Sequence, residues 1–282
     1  MHHQPPVLSI AGSDNSAGAG IQADLKAISA LNAYGLTAVT CVVAEIPGKV
    51  SAIHPIPPEV VAEQIRLCFE AFPVKALKTG MLFSAEILAA VAASLSSLLP
   101  KHGHPPLVVD PVMVATSGHR LLQTDALTIY RSNLFPQAAL VTPNLDEAAV
   151  LWGSPIQTRA EMRDAGHALV REHGVPFLMK GGHLRENSAA DVLLLQDGSE
   201  HWFEAPYVHG VSTHGTGCTY SAAIAAELGK GAPLPTAVAN AKRFLSSAIT
   251  GHLRWKTELQ TTDALHHFTA LHHPPAPDAA SA

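Results

Sequence analysis

The sequence predicts an α/β fold: a mainly parallel sheet covered by helices on both faces. Three observations predict it. Short apolar runs alternate with helical segments along most of the chain, the pattern of successive βαβ units. The runs Val7 to Ala11, Leu36 to Ala44 and Leu107 to Asp110 are apolar or β-branched at nearly every position, the last ending in its carboxylate, as in strands buried on both faces. Chemistry-bearing residues follow these runs, at the strand ends where open α/β sheets bind ligands.

With 282 residues, 47% hydrophobic and 15% charged, the chain can bury one large core. No Pro/Gly/Ser linker or charge run divides its middle, so residues 1–270 read as one domain. Pro274 to Ala282 contain only Pro, Ala, Asp and Ser, so residues 271–282 read as a disordered tail. A net charge of -5 without a Lys/Arg block argues against nucleic acid or an anionic membrane as the main partner. Cys41, Cys68 and Cys218 lie far apart without Cys-x-x-Cys spacing, which signals neither disulfides nor zinc. Met1 to Pro6 lack a basic n-region, and the longest aliphatic segment, Ile87 to Leu99, is too short to span a bilayer. A cytoplasmic protein is expected. Adjacent histidines occur only near the ends, at His2 and His3, His266 and His267, and His272 and His273, and read as solvated tails rather than metal sites.

Val7 to Ala11 ends at Gly12, and the loop Ser13 to Gly20 leads into a helix from Ile21 to Leu31. This strand, loop and helix lack both the Gly-x-Gly-x-x-Gly and the Gly-Lys-Ser/Thr patterns, so dinucleotide and P-loop readings fail. Asp24 lies one turn into the helix, where it can meet a ligand in the loop or complement the helix dipole. Leu36 to Ala44 is the second strand, broken by Glu45-Ile46-Pro47-Gly48. Val50 to Ile56 is extended and Pro58 to Phe72 helical. Ala76 to Lys78 is a strand running into Thr79-Gly80-Met81, and Ala85 to Leu99 is the next helix. Leu107 to Asp110 ends a strand in a carboxylate before a polar loop, Ala115 to His119, and Thr124 caps a helix from Asp125 to Leu134. After the strand Leu140 to Thr142, Asn144 and Glu147 stand three apart at a helix start, which is also capping-box spacing. Thr158 to His173 is an amphipathic helix. Pro176 to Met179 is a strand ending in Lys180-Gly181-Gly182-His183, whose lysine can reach a phosphate. Asp191 to Leu195 and Glu200 to Glu204 form a late hairpin around Asp197-Gly198, and Thr236 to Gly251 is the last helix.

The stretch Ser212 to Thr219 organises the rest. It reads as a glycine-rich turn opening the helix Tyr220 to Leu228, with free N–H groups aimed at an anion. Cys218 stands in the first helical turn, where the dipole is expected to lower its thiol pKa, or else it is a small packing residue. A polarised cysteine beside a phosphate-sized anion site points to phosphoryl transfer.

Six ordered blocks then carry a resemblance: Ala11 to Asp14 with Gly18 to Lys26; Lys78 to Leu82; Val109 to Met113; Thr142 to Leu145 with Glu147-Ala148; Met179 to His183; and Thr213 to Thr219. In these the chain resembles the hydroxymethylpyrimidine/phosphomethylpyrimidine kinases of thiamine biosynthesis, within the ribokinase-like superfamily. The resemblance implies a three-layer αβα sandwich. It also implies transfer of the ATP γ-phosphoryl, first to the hydroxymethyl of 4-amino-5-hydroxymethyl-2-methylpyrimidine and then to its monophosphate. By it, Gly12, Asp24, Glu45, Met81 and Val112 would surround the pyrimidine, and Asp110, Asn144 and Glu147 would organise Mg²⁺. Asn144, Lys180, Gly215, Thr216 and Gly217 would meet ATP, with Cys218 as the base. A homodimer is common in the family.

The chain departs from the pattern at Glu45, where the family usually has Gln. An amide both donates and accepts, whereas a carboxylate only accepts. Glu45 then pairs with the aminopyrimidine if a proton is shared between them, or else the substrate has changed. Asn15 and Ala17 replace the usual Pro and Gly of the first loop, and Asp263-Ala264-Leu265 replaces the usual Gly-Pro before His266. The alternatives are a pyridoxine/pyridoxal kinase and a non-catalytic pyrimidine-binding sensor. A mere binder needs no Lys180, Asp110, Glu147 and Cys218 together.

Overall fold

The computed structural model describes residues 4–113, 124–182, 184, 188–211, 214–258 and 260–269. In chain order its elements are β1 (Pro6–Ala11), α1 (Gly20–Ala30), β2 (Tyr34–Val39), β3 (Cys41–Ile46), β4 (Lys49–Pro55), α2 (Pro58–Ala71), β5 (Ala76–Thr79) and α3 (Ala85–Leu98). Then come β6 (Leu107–Val109), α4 (Thr124–Ile129), β7 (Leu140–Val141), α5 (Leu145–Trp152), α6 (Arg159–His173), β8 (Phe177–Lys180), β9 (Ser188–Leu194) and β10 (Glu200–Pro206). The last are α7 (Thr216–Gly229), α8 (Leu234–Thr250), β11 (Leu253–Lys256) and β12 (Thr261–Ala264).

Eight strands form the central sheet in the order β10-β9-β8-β7-β6-β5-β1-β2. All pairings from β2 to β8 are parallel, and β9 and β10 close the edge as an antiparallel hairpin. Consecutive strand residues face opposite layers. Leu77, Val109, Val141, Phe177 and Met179 pack in one core with α2 to α6, and Ala76, Val108, Leu140 and Leu178 in a second core with α1, α7 and α8. The fold is thus a three-layer αβα sandwich. Helix α7 is buried from Thr219 to Glu227, and its alanines let it lie close against the sheet between α1 and α8.

Leu36 to Ala44 is not one strand. The chain leaves the sheet at Thr40, whose hydroxyl donates to the Met81 carbonyl at 2.7 Å. The β-branched run then continues as β3, which pairs with β4 in a separate ribbon. Glu45 therefore sits at a register shift within that ribbon and not at the end of a sheet strand. The antiparallel ribbons β3-β4 and β11-β12 add to the single hairpin expected. The helix expected from Asp125 to Leu134 becomes a π-turn at Tyr130–Leu134.

His267 is no part of a solvated tail. It is buried, with Thr219 Oγ1 2.9 Å from its Nε2, and burial pushes its pKa down to about 4. The side chain of Thr124, the loop Ala115 to His119, His183, Ser212, Thr213, the pairs His2-His3 and His272-His273, and the tail at 271–282 lie outside the described residues.

Candidate active site

Where β1 and β5 lie side by side, the chain switches from building the sheet in one direction to building it in the other, and such a switch point leaves a crevice at the strand carboxyl ends. A cavity of about 600 Å³ opens there. Backbone bonds across neighbouring strand ends fix its floor: Gly12 N–H to Met81 O at 3.1 Å, Asp110 N–H to Thr79 O at 3.1 Å, and Lys180 N–H to Pro143 O at 3.0 Å. Gly12, Glu45, Met81, Asp110, Val112, Asn144, Glu147, Lys180 and Gly215 to Cys218 all line it. Residues from seven separate parts of the chain thus share one cavity.

Asp110 and Lys180 form its charged centre. Lys180 Nζ donates to Asp110 Oδ1 at 2.9 Å, and the carboxylate also accepts from Thr142 Oγ1 at 3.3 Å and Ser221 Oγ at 3.2 Å. Burial opposes the charge on Asp110, but Lys180 and Lys78 outweigh it and hold the carboxyl below its ordinary range. Asn144 and Glu147 do make a capping box: Glu147 N–H donates to Asn144 Oδ1 at 2.9 Å, and Asn144 N–H to Glu147 Oε2 at 2.8 Å. The cap does not exclude a role in the cavity, because Glu147 is buried and lines it. Burial, with Asp110 nearby, pushes the Glu147 carboxyl up to about 7 despite Lys180. Two buried carboxylates facing one lysine make a site that favours a further cation.

The opposite wall is the turn into α7. Gly215 caps that helix at φ +80°, and a Cβ there would fall 1.7 Å from the Gly18 carbonyl oxygen. Only glycine fits, and the turn brings the first residues of the helix, Thr216, Gly217 and Cys218, to the cavity wall. Cys218 does not have the lowered pKa expected of a helix N-terminus. Burial is the largest influence, Asp24 and Asp110 add to it, and the thiol is pushed up to about 11 even though Lys78 and the Gly20 N–H favour the thiolate.

Asp24 is the one candidate that the cavity does not expose. Its side chain is wholly buried, with Lys78 Nζ at 2.9 and 2.7 Å from its two oxygens and Ser9 Oγ donating at 2.5 Å. The carboxylate that the sequence reading turned toward a ligand instead neutralises a lysine beneath the cavity floor.

Sequence reasoning quoted Lys78, Asp14 and His214 in motifs but gave them no role, and passed over Asp191 and Lys242. Lys78 had one legible signal, a lysine inside an otherwise apolar strand, which must have a buried partner. Asp14 accepts from Ser16 N–H and Ala19 N–H, each at 2.7 Å, and lies 3.0 Å from His214 Nε2. Burial works against the charge on Asp14, but these bonds win and hold it well below the carboxylate range. The bond to Asp14 raises the His214 pKa. Glu45 approaches both, with a carboxylate oxygen within 4.8 Å of one on Asp14 and of a ring nitrogen of His214.

A family model described as phosphomethylpyrimidine kinase matches residues 14–263. The hydroxymethylpyrimidine/phosphomethylpyrimidine kinase of Rhizobium meliloti is 43% identical over 262 residues, 93% of this chain and 96% of its own. The thiamine biosynthesis bifunctional protein ThiED of Geobacter sulfurreducens is 45% identical over 244 residues, 86% of this chain, which spans only 49% of that longer protein. Among solved structures, an ADP complex of Bacillus subtilis pyridoxal kinase superposes with a TM-score of 0.84 at 32% identity, over 95% of this chain and 99% of that one. With the match running over residues 14–263, most of the chain, this chain belongs to the phosphomethylpyrimidine kinase family.

Proposed function

We propose that this protein transfers the γ-phosphoryl of ATP to the hydroxymethyl group of 4-amino-5-hydroxymethyl-2-methylpyrimidine, and then to the phosphate of the resulting monophosphate. Each step forms one P–O bond to the acceptor, breaks the bond to the β-phosphate and releases ADP; the first also releases the hydroxymethyl proton, whereas the second acceptor is already an ionised phosphate oxygen. The observation that carries this reading is the shared cavity, where the Lys180 and Asp110 pair faces the helix N-terminus that holds Cys218.

Phosphoryl transfer passes through a loose transition state, so positioning and charge neutralisation matter more than a strong base. Lys180 contacts the nucleotide phosphates, and the N–H groups at Gly215 to Cys218 receive the moving phosphoryl oxygens. Gly12, Met81 and Val112 pack around the acceptor ring beside Glu45. Asp24 supports this end from below, by holding Lys78. Cys218 takes the acceptor proton. Its thiol is neutral in the resting site, so it becomes competent only as the bound nucleotide, metal and acceptor alter its surroundings.

Asp110 and Glu147 fit Mg²⁺: both offer hard oxygen donors, and burial with Asp110 nearby makes Glu147 costly to ionise without a further cation. With Asn144 they would hold the hydrated ion, which supplies charge neutralisation on the transferred phosphoryl. Consumption of ATP by the purified chain when the hydroxymethylpyrimidine is added, with no other protein present, tests the reading. Consumption that is independent of any acceptor would count against it.

A further inference from the structure

Asp191 and Lys242 are a buried charged pair at the cavity wall that none of the roles above uses. Asp191 lies on β9, and the antiparallel register sets it opposite Lys180 on β8. Its Oδ2 receives Lys242 Nζ at 2.6 Å, and its Oδ1 accepts the Gly181 N–H at 3.1 Å. Lys242, on α8, also donates to the Ala189 carbonyl at 3.0 Å and stands 5.9 Å from the centre of the Tyr220 ring. The turn after Lys180 is pressed onto β9: a Cβ on Gly181 would fall 2.2 Å from the Ala190 carbonyl oxygen.

These contacts link α8 to the phosphate-contacting lysine. Asp110 holds the Lys180 ammonium from the front at 2.9 Å, and Asp191 fixes the backbone just behind it through Gly181. Burial raises the Asp191 carboxyl above its ordinary range, and the Lys242 ammonium works against that rise. Buried ion pairs can often be replaced by apolar residues of similar volume without loss of stability. Fold stability alone therefore does not require this pair, whereas the placement of Lys180 does, since small errors in positioning are costly to catalysis.

We propose that Lys242 is a positioning residue for the nucleotide end of the site, acting through Asp191 on Gly181 and so on Lys180. The inference rests on the reading of Lys180 as the nucleotide contact.

The test is calorimetric titration of the full chain with Mg-ADP, alongside thermal melts and the KM of the acceptor. Two variants are used: Asp191→Leu/Lys242→Met, which removes both charges, and Lys242→Gln, which keeps a donor near Asp191 but no charge. A double variant that melts like the wild type but binds ADP about tenfold or more weakly, and Lys242→Gln that loses nucleotide affinity with an unchanged acceptor KM, are the expected results. Wild-type ADP affinity in either folded variant would overturn the proposal, as would nucleotide and acceptor affinities falling together, the mark of general damage. A wild-type protein that binds no ADP would instead remove the kinase reading on which the proposal stands.

Discussion

Lys78 Nζ lies 2.7 Å from Asp24 Oδ2, and neither side chain reaches solvent. The pair sits under the cavity floor, next to Cys218 and Asp110, whose charges Lys78 influences. Removing one partner strands the other as a buried charge. Lys78→Met is therefore expected to lower stability by about 3–5 kcal/mol, measured by urea unfolding. A loss under about 1 kcal/mol would mean that the pair is not buried as described.

The second expectation concerns chemistry. Cys218→Ala removes the proton acceptor but leaves Lys180 and the N–H groups that bind phosphates. Turnover should fall about 10²-fold or more while the Kd for Mg-ATP stays close to wild type, checked by steady-state kinetics and calorimetry. Unchanged turnover would take Cys218 out of the mechanism.

The third concerns the same thiol at rest. A pKa pushed up to about 11 leaves little thiolate at neutral pH, and the thiolate is the reactive form. Alkylation of Cys218 in the free protein, followed by peptide mass spectrometry, should rise about tenfold per pH unit between pH 7 and 9. A rate already level by pH 8 would restore the lowered pKa that a helix N-terminus alone suggests.

The parallel sheet and its flanking helices were legible because consecutive apolar residues and helical periodicity do not depend on distant partners. The cavity was legible too, since Gly12, Met81, Asp110, Asn144 and Lys180 follow strands that end side by side. Two kinds of information were not local. A β-branched run from Leu36 to Ala44 looks the same whether one strand or two, and the bonds of Thr40 to Met81 and of Ile56 to Thr40, between distant residues, mark where it leaves the sheet. Asp24 and Lys78 are 54 residues apart, so neither charge showed its partner, and an acid one turn into the helix looked like a ligand group. Cys218 was misjudged because the dipole is visible in a sequence and desolvation is not.

The fourth expectation concerns Glu45. Burial and the Asp14 charge raise its pKa, while His214 opposes them, so the group is suited to sharing a proton with a basic ring nitrogen. Binding then takes up a proton that is lost as pH rises. Wild-type affinity for the hydroxymethylpyrimidine should weaken by up to about tenfold per pH unit above the shared pKa, while Glu45→Gln stays flat over the same range. Parallel profiles for the two proteins, measured by calorimetry between pH 5.5 and 8.5, would leave Glu45 without this role.

The central claim is the pair of phosphorylations, and product analysis by mass spectrometry tests it most directly. Purified protein and Mg-ATP are incubated separately with the hydroxymethylpyrimidine, its monophosphate and pyridoxine. The account predicts a monophosphate and a diphosphate from the pyrimidines. Phosphorylated pyridoxine with inert pyrimidines, or no product from any of the three, would contradict it.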